Sequence, residues 1–177
     1  MWRWVIWLTR VHRCRGFGIQ SPTDYAFVRY VINEHWPYYA YETLGKNDDW
    51  KTRKLGRLYM RLANWRQPER VESNGYEEYW KAGRKKVDVR GKKDDGRGMK
   101  AVEVARVDID DDRETVEDVL DRCNERSVVV VEDIWRDWQR WHEMEQDERV
   151  GTTYDLYYCG IMLFDKRGYK HHYKVNF

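Results

Sequence analysis

The sequence predicts an α/β domain: a mostly parallel, Rossmann-like sheet with a helical N-terminal region before it and a C-terminal antiparallel hairpin after it. Three observations point there. Ser127 to Trp135 reads SVVVVEDIW, with four valines in succession. A strand with one wet face would alternate, so this one expects apolar neighbours on both faces. Helical patterns flank it: Arg113 to Asn124 aligns Val116, Val119 and Leu120, and Trp135, Trp138, Trp141 and His142 recur at helical spacing. Helix, buried strand, helix is the repeat of a parallel sheet. Finally, Thr152 to Phe164 and His171 to Phe177 read as two strands joined by Asp165 to Lys170 with Gly168 in the turn. So short a link predicts antiparallel pairing.

The elements follow in order. Met1 to Arg10, MWRWVIWLTR, reads as a terminal helix packed on its own domain. Its uncharged run, Trp4 to Thr9, falls short of the roughly 20 apolar residues that span a bilayer, and it lacks the pattern of a signal peptide. An aromatic, basic helix lying on a membrane surface is the competing reading. Gly16 and Gly18 break this helix. Ser21 then caps a second one, with Pro22 at its first position and Asp24 at capping-box spacing. Phe27, Val28, Val31 and Ile32 form its buried side and Pro37 its end. A third helix, Lys51 to Arg66, carries the stripe Leu55, Leu58, Tyr59 and Leu62, and Pro68 stops it. Residues 1–68 thus form a helical region packed on a core of residues 69–177, one domain overall. The core opens with a short strand in Glu69 to Gly75, a helix from Tyr76 to Ala82, a strand at Val87 to Val89, a polar loop from Gly91 to Gly98 and a strand from Ala101 to Ile109.

Composition narrows the function. The 177 residues carry a formal charge of only +2, which gives no global field to steer nucleic acid. Charge is segregated: Lys81 to Lys100 holds nine bases against three acids, and Asp108 to Glu125 nine acids against two bases. These runs can neutralise each other within one domain, and the basic one lacks interleaved aromatics for base stacking. Nucleic acid is therefore not an expected partner. Cys14, Cys123 and Cys159 form neither a CxxC pair nor an even framework, which suggests a reducing, cytoplasmic compartment.

Right-handed crossovers place Glu132 and Asp133 at the carboxyl edge of the sheet, where open α/β sheets bind ligands. They are the first site candidates; the alternative is that one caps the following helix and the other is solvated. Asp108 and Asp110 end the neighbouring strand. Asp108, Asp110, Glu132 and Asp133 offer hard oxygen donors suited to Mg²⁺, against the plainer reading that Asp110 to Asp112 cap the next helix. His171 and His172 are expected to alternate faces. Cys159 reads as core filling.

The stretches RGFGIQSP (Arg15 to Pro22), SVVVVEDIW, and YDLYYCGIMLF through HHYKVNF make the chain resemble class I S-adenosylmethionine-dependent methyltransferases, and more narrowly a group of small methyltransferase-like proteins of Bacteroides-type bacteria. Together they cover about half the chain. The resemblance implies S-adenosylmethionine as cofactor, held by Glu72, Ser73, Asn74, Gly75 and Asp108 in one cleft. Some family members add a divalent metal. The sequence departs from the family where the cofactor would sit. The turn after the first strand has Gly75 as its single glycine; Asn74 could take a left-handed conformation, and Ser73 would do so at a cost of roughly 1–2 kcal/mol. The second strand ends in Arg90 where the family has a ribose-binding acid, and Asp88 lies two residues too early, about 6–7 Å back along the strand. A helix-strand unit is missing between Val89 and Ala101. The expectation is a shortened methyltransferase-like protein with weak or absent cofactor affinity, a pseudoenzyme working through a protein partner or as a homo-oligomer. The alternative is an active small-molecule O-methyltransferase, with or without a divalent metal. A metal-dependent phosphoesterase explains nothing about the closing strands.

Overall fold

The computed structural model describes residues 2–91, 101–165 and 169–177. Gly168 and most of the polar loop 91–98 lie outside the described residues. Helix α1 (Trp2–Thr9) leads through a 3-10 turn (Val11–Gly16) to α2 (Pro22–Phe27), which continues as a π turn (Val28–Ile32). A 3-10 turn (Tyr39–Glu42) precedes α3 (Trp50–Arg66). The sheet region follows as β1 (Arg70–Glu72), α4 (Glu77–Gly83), β2 (Asp88–Arg90), β3 (Val102–Asp108), α5 (Arg113–Asp121) and β4 (Cys123–Glu132). A 3-10 turn (Ile134–Arg136), α6 (Trp138–Glu145), β5 (Thr152–Asp155), β6 (Cys159–Leu163) and β7 (His171–Lys174) complete it. No helix among the described residues is long and apolar enough to cross a membrane.

Local chemistry sets the helix limits. Ser21 Oγ accepts from the Asp24 amide at 3.3 Å, and Pro22 opens α2. The helix ends before Pro37: the Asn33 amide reaches back five residues to the Val28 carbonyl, and the chain leaves the helix there. Asp49 caps α3 by accepting from the Lys51 and Thr52 amides. Gln67, in the left-handed conformation, closes α3 ahead of Pro68. Asp112 caps α5 and Asp137 caps α6. Each such cap is worth about 1 kcal/mol.

The seven strands lie in the order β2-β1-β3-β4-β6-β5-β7. Pairing is parallel from β2 through β4; β6 runs antiparallel to both its neighbours. The sheet is therefore mixed and mostly parallel, with β4 at its centre. The valine run is explained by two cores. Val128 and Val130 join Val71, Val104, Leu55, Leu58 and Trp80 beneath α2, α3 and α4. Val129 and Val131 join Val107, Val116, Leu120 and Trp141 beneath α5 and α6. Burying a valine on either side contributes about 1.5–3 kcal/mol. The helices of residues 27–63 share the first of these cores with the strands.

The end of the chain corrects one expectation. Thr152 to Phe164 is not one strand. Asp155 Oδ1 accepts from the Tyr157 amide at 2.8 Å, Tyr157 takes φ 72°, and the chain reverses into β6. The antiparallel hairpin is thus β5–β6. Strand β7 pairs parallel with β5, Thr152 opposite His171 and Asp155 opposite Lys174. With β4 and β5 already on its two sides, β6 has no free edge for β7, which takes the open side of β5. The side chains of β7 alternate as expected: His172 Nδ1 lies 2.8 Å from Thr153 Oγ1, while His171 stacks on Tyr173 on the other face.

Candidate functional site

The carboxyl edge gathers the ends of β1, β3 and β4 and the β5–β6 turn. At its centre sits Glu132, buried at 3% exposure. It is on the α3 side of the sheet, and its Oε1 accepts from the Tyr59 hydroxyl and from Arg106 Nε at 2.6 Å. Arg106 points to the same side as Val104. Its Nη1 donates to the Asn74 carbonyl at 2.9 Å, and its guanidinium lies 5.3 Å from the Tyr76 ring. Tyr59 stacks on Trp80 at 4.7 Å and meets Tyr76 edge-on. Burial, followed by the Glu132 charge, pushes the Tyr59 and Tyr76 hydroxyls well above the usual phenol range. Burial works against the Arg106 charge, but the hydrogen bond and charge of Glu132 outweigh it and hold the guanidinium protonated. Glu132, Tyr59, Arg106 and the Asn74 carbonyl thus form one connected network.

Asp133 takes the left-handed conformation at φ 57°. Its Oδ1 accepts from Lys51 Nζ at 2.5 Å and Trp135 Nε1 at 3.0 Å. Asp108 accepts from the Asp110 amide at 3.1 Å, and its own amide donates to Asp111 at 2.6 Å. Asp110 pairs with Arg136 at 2.5 Å. Of the acids 110–112, Asp112 is the one that caps α5. Asp108, Asp110, Glu132 and Asp133 are therefore each engaged with a different protein partner, and they do not fit a Mg²⁺ site as they stand. Among the described residues no group of three or more His, Cys, Asp or Glu could hold a metal ion.

The turn after β1 is built differently from the expectation. Gly75 at φ 97° and Tyr76 at φ 60° take the left-handed conformation, while Ser73 and Asn74 do not. Nothing lies within 4 Å of where a Gly75 Cβ would be. Ser73 is buried, its amide donating to the Arg90 carbonyl and its hydroxyl to the Gly75 carbonyl. Val71 faces the α3 side, so Glu72, one residue on, faces α5. There Arg122 grips it with two bonds of 2.7 and 2.8 Å. The hydrogen bond to Glu72 leads the causes that raise the Arg122 pKa. Asp108 has the strand parity of Arg106 and so points opposite to Glu72. The structure thus brings Ser73, Asn74, Gly75 and Asp108 to one edge and turns the Glu72 carboxylate away from them. Arg90 is bonded to Asp88 at 2.7 Å on the edge strand. Cys159 is fully buried, and burial pushes its thiol well above the usual range.

The residues that hold these candidates, Arg106, Tyr59, Lys51 and Arg122, were not themselves among the sequence candidates. One signal pointed to Arg106: it is the charged residue at a core-facing position of an otherwise alternating strand, and a buried charge requires a partner. Comparisons with family models, with curated proteins and with solved structures each returned no match.

Proposed function

We propose that the chain is a methyltransferase-like protein of the class I S-adenosylmethionine-dependent fold whose cofactor binding is weakened or lost, and that it works through a protein partner or self-association. The observation that carries the reading is the fate of Glu72. A carboxylate held by two charge-assisted bonds to Arg122 is committed to the protein's own structure. To serve a cofactor it would have to leave that partner and turn to the other side of the strand. Arg106 adds to this by filling the space between Asn74 and Glu132 with a guanidinium, which repels the positively charged sulfonium cofactor. The Rossmann-like part of the reading is supported by the parallel block β2-β1-β3-β4 with the β5–β6 hairpin set against β4. The three free cysteines favour a reducing, cytoplasmic setting.

Isothermal titration with S-adenosylhomocysteine tests the proposal. The expected result is no saturable binding below the high micromolar range from a chain that circular dichroism shows to be folded. Saturable binding at low micromolar concentration overturns it and favours the working small-molecule O-methyltransferase.

A further inference from the structure

A second concavity lies on the far side of α3, away from the carboxyl-edge network. Its volume is about 880 Å³, and α3, the 33–42 segment, the N-terminal segment and the last two residues line it. Four cations enter its wall from α3: Arg53, Lys54, Arg57 and Arg61. Lys54, Arg57 and Arg61 follow one another at i+3 and i+4 spacing, so they share a face over about 10 Å of helix. Like charges at this spacing destabilise a helix unless something compensates. The side-chain carboxylates in the wall are Glu34 and Glu42, and Glu34 is held by the Tyr38 hydroxyl at 2.5 Å. None of the four cations forms an ion pair among the described residues. Arg53 donates to the Gly45 and Asp48 carbonyls, and Arg61 to the Val31 and Ile32 carbonyls and the Tyr41 hydroxyl.

Lys54 and Arg57 are different. The Lys54 ammonium lies beside two rings, Phe177 at 4.4 Å and Trp50 at 5.3 Å. Arg57 lies over Tyr41 at 4.4 Å, and its Nε is buried without a hydrogen-bond partner. Asn33 Nδ2, in the same wall, is also buried without a partner. Desolvated donors with no acceptor are unfavourable, and folded proteins rarely leave them so. Burial, helped by the Arg61 charge, pushes the Lys54 pKa down to about 8. The wall therefore has an excess of positive charge and of donors, and a deficit of acceptors. The rest of it is aromatic: Trp7, Trp36 and Trp50 join the rings already named. Trp36, on the rim, is 71% exposed.

We propose that this cavity binds a small planar aromatic anion, an aryl phosphate or carboxylate, with its oxygens on Lys54 and Arg57 and its ring among Trp36, Tyr41 and Trp50. The guanidinium fork of Arg57 suits a carboxylate or phosphate, and Lys54 supplies a point charge beside it. The flat rings supply stacking surface for the ligand's ring. Four side-chain cations against two side-chain carboxylates disfavour a cationic occupant, so the site is distinct from any sulfonium cofactor site and does not rest on the fold-family reading.

The test is calorimetric titration of the full chain with phenyl phosphate and with benzoate, beside inorganic phosphate and phenol. Saturable, submillimolar binding of phenyl phosphate or benzoate is expected, with inorganic phosphate and phenol at least about tenfold weaker, since each lacks one half of the recognition. Lys54→Met and Arg57→Met keep the aliphatic stems that pack against the rings and remove the charge. Each is expected to weaken aryl-anion binding by about tenfold with the circular dichroism spectrum unchanged. Failure of both aryl anions to bind overturns the proposal. So does inorganic phosphate binding as tightly as phenyl phosphate, or aryl-anion binding that survives in the Lys54→Met/Arg57→Met double variant. Should both single variants unfold, Trp36→Ala at the exposed rim takes their place: unchanged affinity there overturns the stacking half of the proposal, and an approximately tenfold loss supports it.

Discussion

The two faces of the sheet are held by different physics. The face beneath α2, α3 and α4 combines an apolar cluster with buried ionisable groups. Glu132 is tied to Arg106 and Tyr59, and Asp24 accepts from Tyr154 at 3.0 Å and Tyr173 at 3.2 Å. The face beneath α5 and α6 is almost wholly aliphatic, with Trp141 pressed against Gly160. Its polar contacts are the part-buried pair in which Arg122 donates to Glu72 at 2.7 and 2.8 Å and the buried bond from Thr153 to Glu145 at 3.1 Å. The interior of the first face is specified by matched charge and hydrogen bonding, that of the second mainly by shape, with its ion pair, Arg122 to Glu72, only part-buried. A buried network tolerates small changes of volume better than the loss of one partner, whereas a close-packed face behaves the other way.

Loss of charge on the first face gives the largest expected effect. Arg106→Met leaves Glu132 buried with only neutral donors beside it, and removing one partner of a buried pair costs about 3–5 kcal/mol. Urea denaturation measures it. The double variant Arg106→Met/Glu132→Gln should recover much of that loss, because both charges are gone. A loss below about 1 kcal/mol in the single variant, on the same scale, would mean that Glu132 is solvated and that the contrast between faces is wrong.

On the second face a single methyl group is the sharper probe. A Cβ at Gly160 would lie 2.2 Å from the Trp141 ring, against a rigid, fully buried side chain. Gly160→Ala is expected to destabilise by about 1–3 kcal/mol through overpacking. Adding Trp141→Phe should relieve part of this, as a melting temperature higher than that of Gly160→Ala alone. If Gly160→Ala melts with the parent chain, the α6 side is looser than the shape argument requires.

The last effect belongs to the cavity wall, and its sign is fixed by linkage. The Lys54 pKa falls from 10.5 in the unfolded chain to about 8 in the fold. The unfolded state therefore binds more protons between those values, and this residue's contribution to stability rises with pH across that window. Below about pH 8 its penalty is fully present. The Lys54→Met variant should accordingly exceed the parent most near neutral pH, with the gap closing toward pH 10.5. The comparison must be parent against variant at each pH. Burial raises the Cys159 thiol and the Tyr59 and Tyr154 hydroxyls, which pulls total stability the other way in alkali. A gap that does not change with pH would show that Lys54 is fully hydrated.

What the sequence determined by itself is what local physics controls. The order of helices and strands, the apolar stripe of α3, the Ser21 cap and the two-sided burial of the valine run all depend on residues within a few positions of one another. Helical and strand periodicities carry that information directly. The tertiary structure alone decided three other things. It chose the neighbour of β7, because the open edge lay on β5. It turned Glu72 to Arg122, fifty positions away, and set Arg106 against Glu132 across adjacent strands. It also brought the cations of α3 and the rings of distant segments around one cavity. Strand neighbours, ion pairs and cavities depend on which distant segments the packed core brings within contact, and no local pattern encodes that separation.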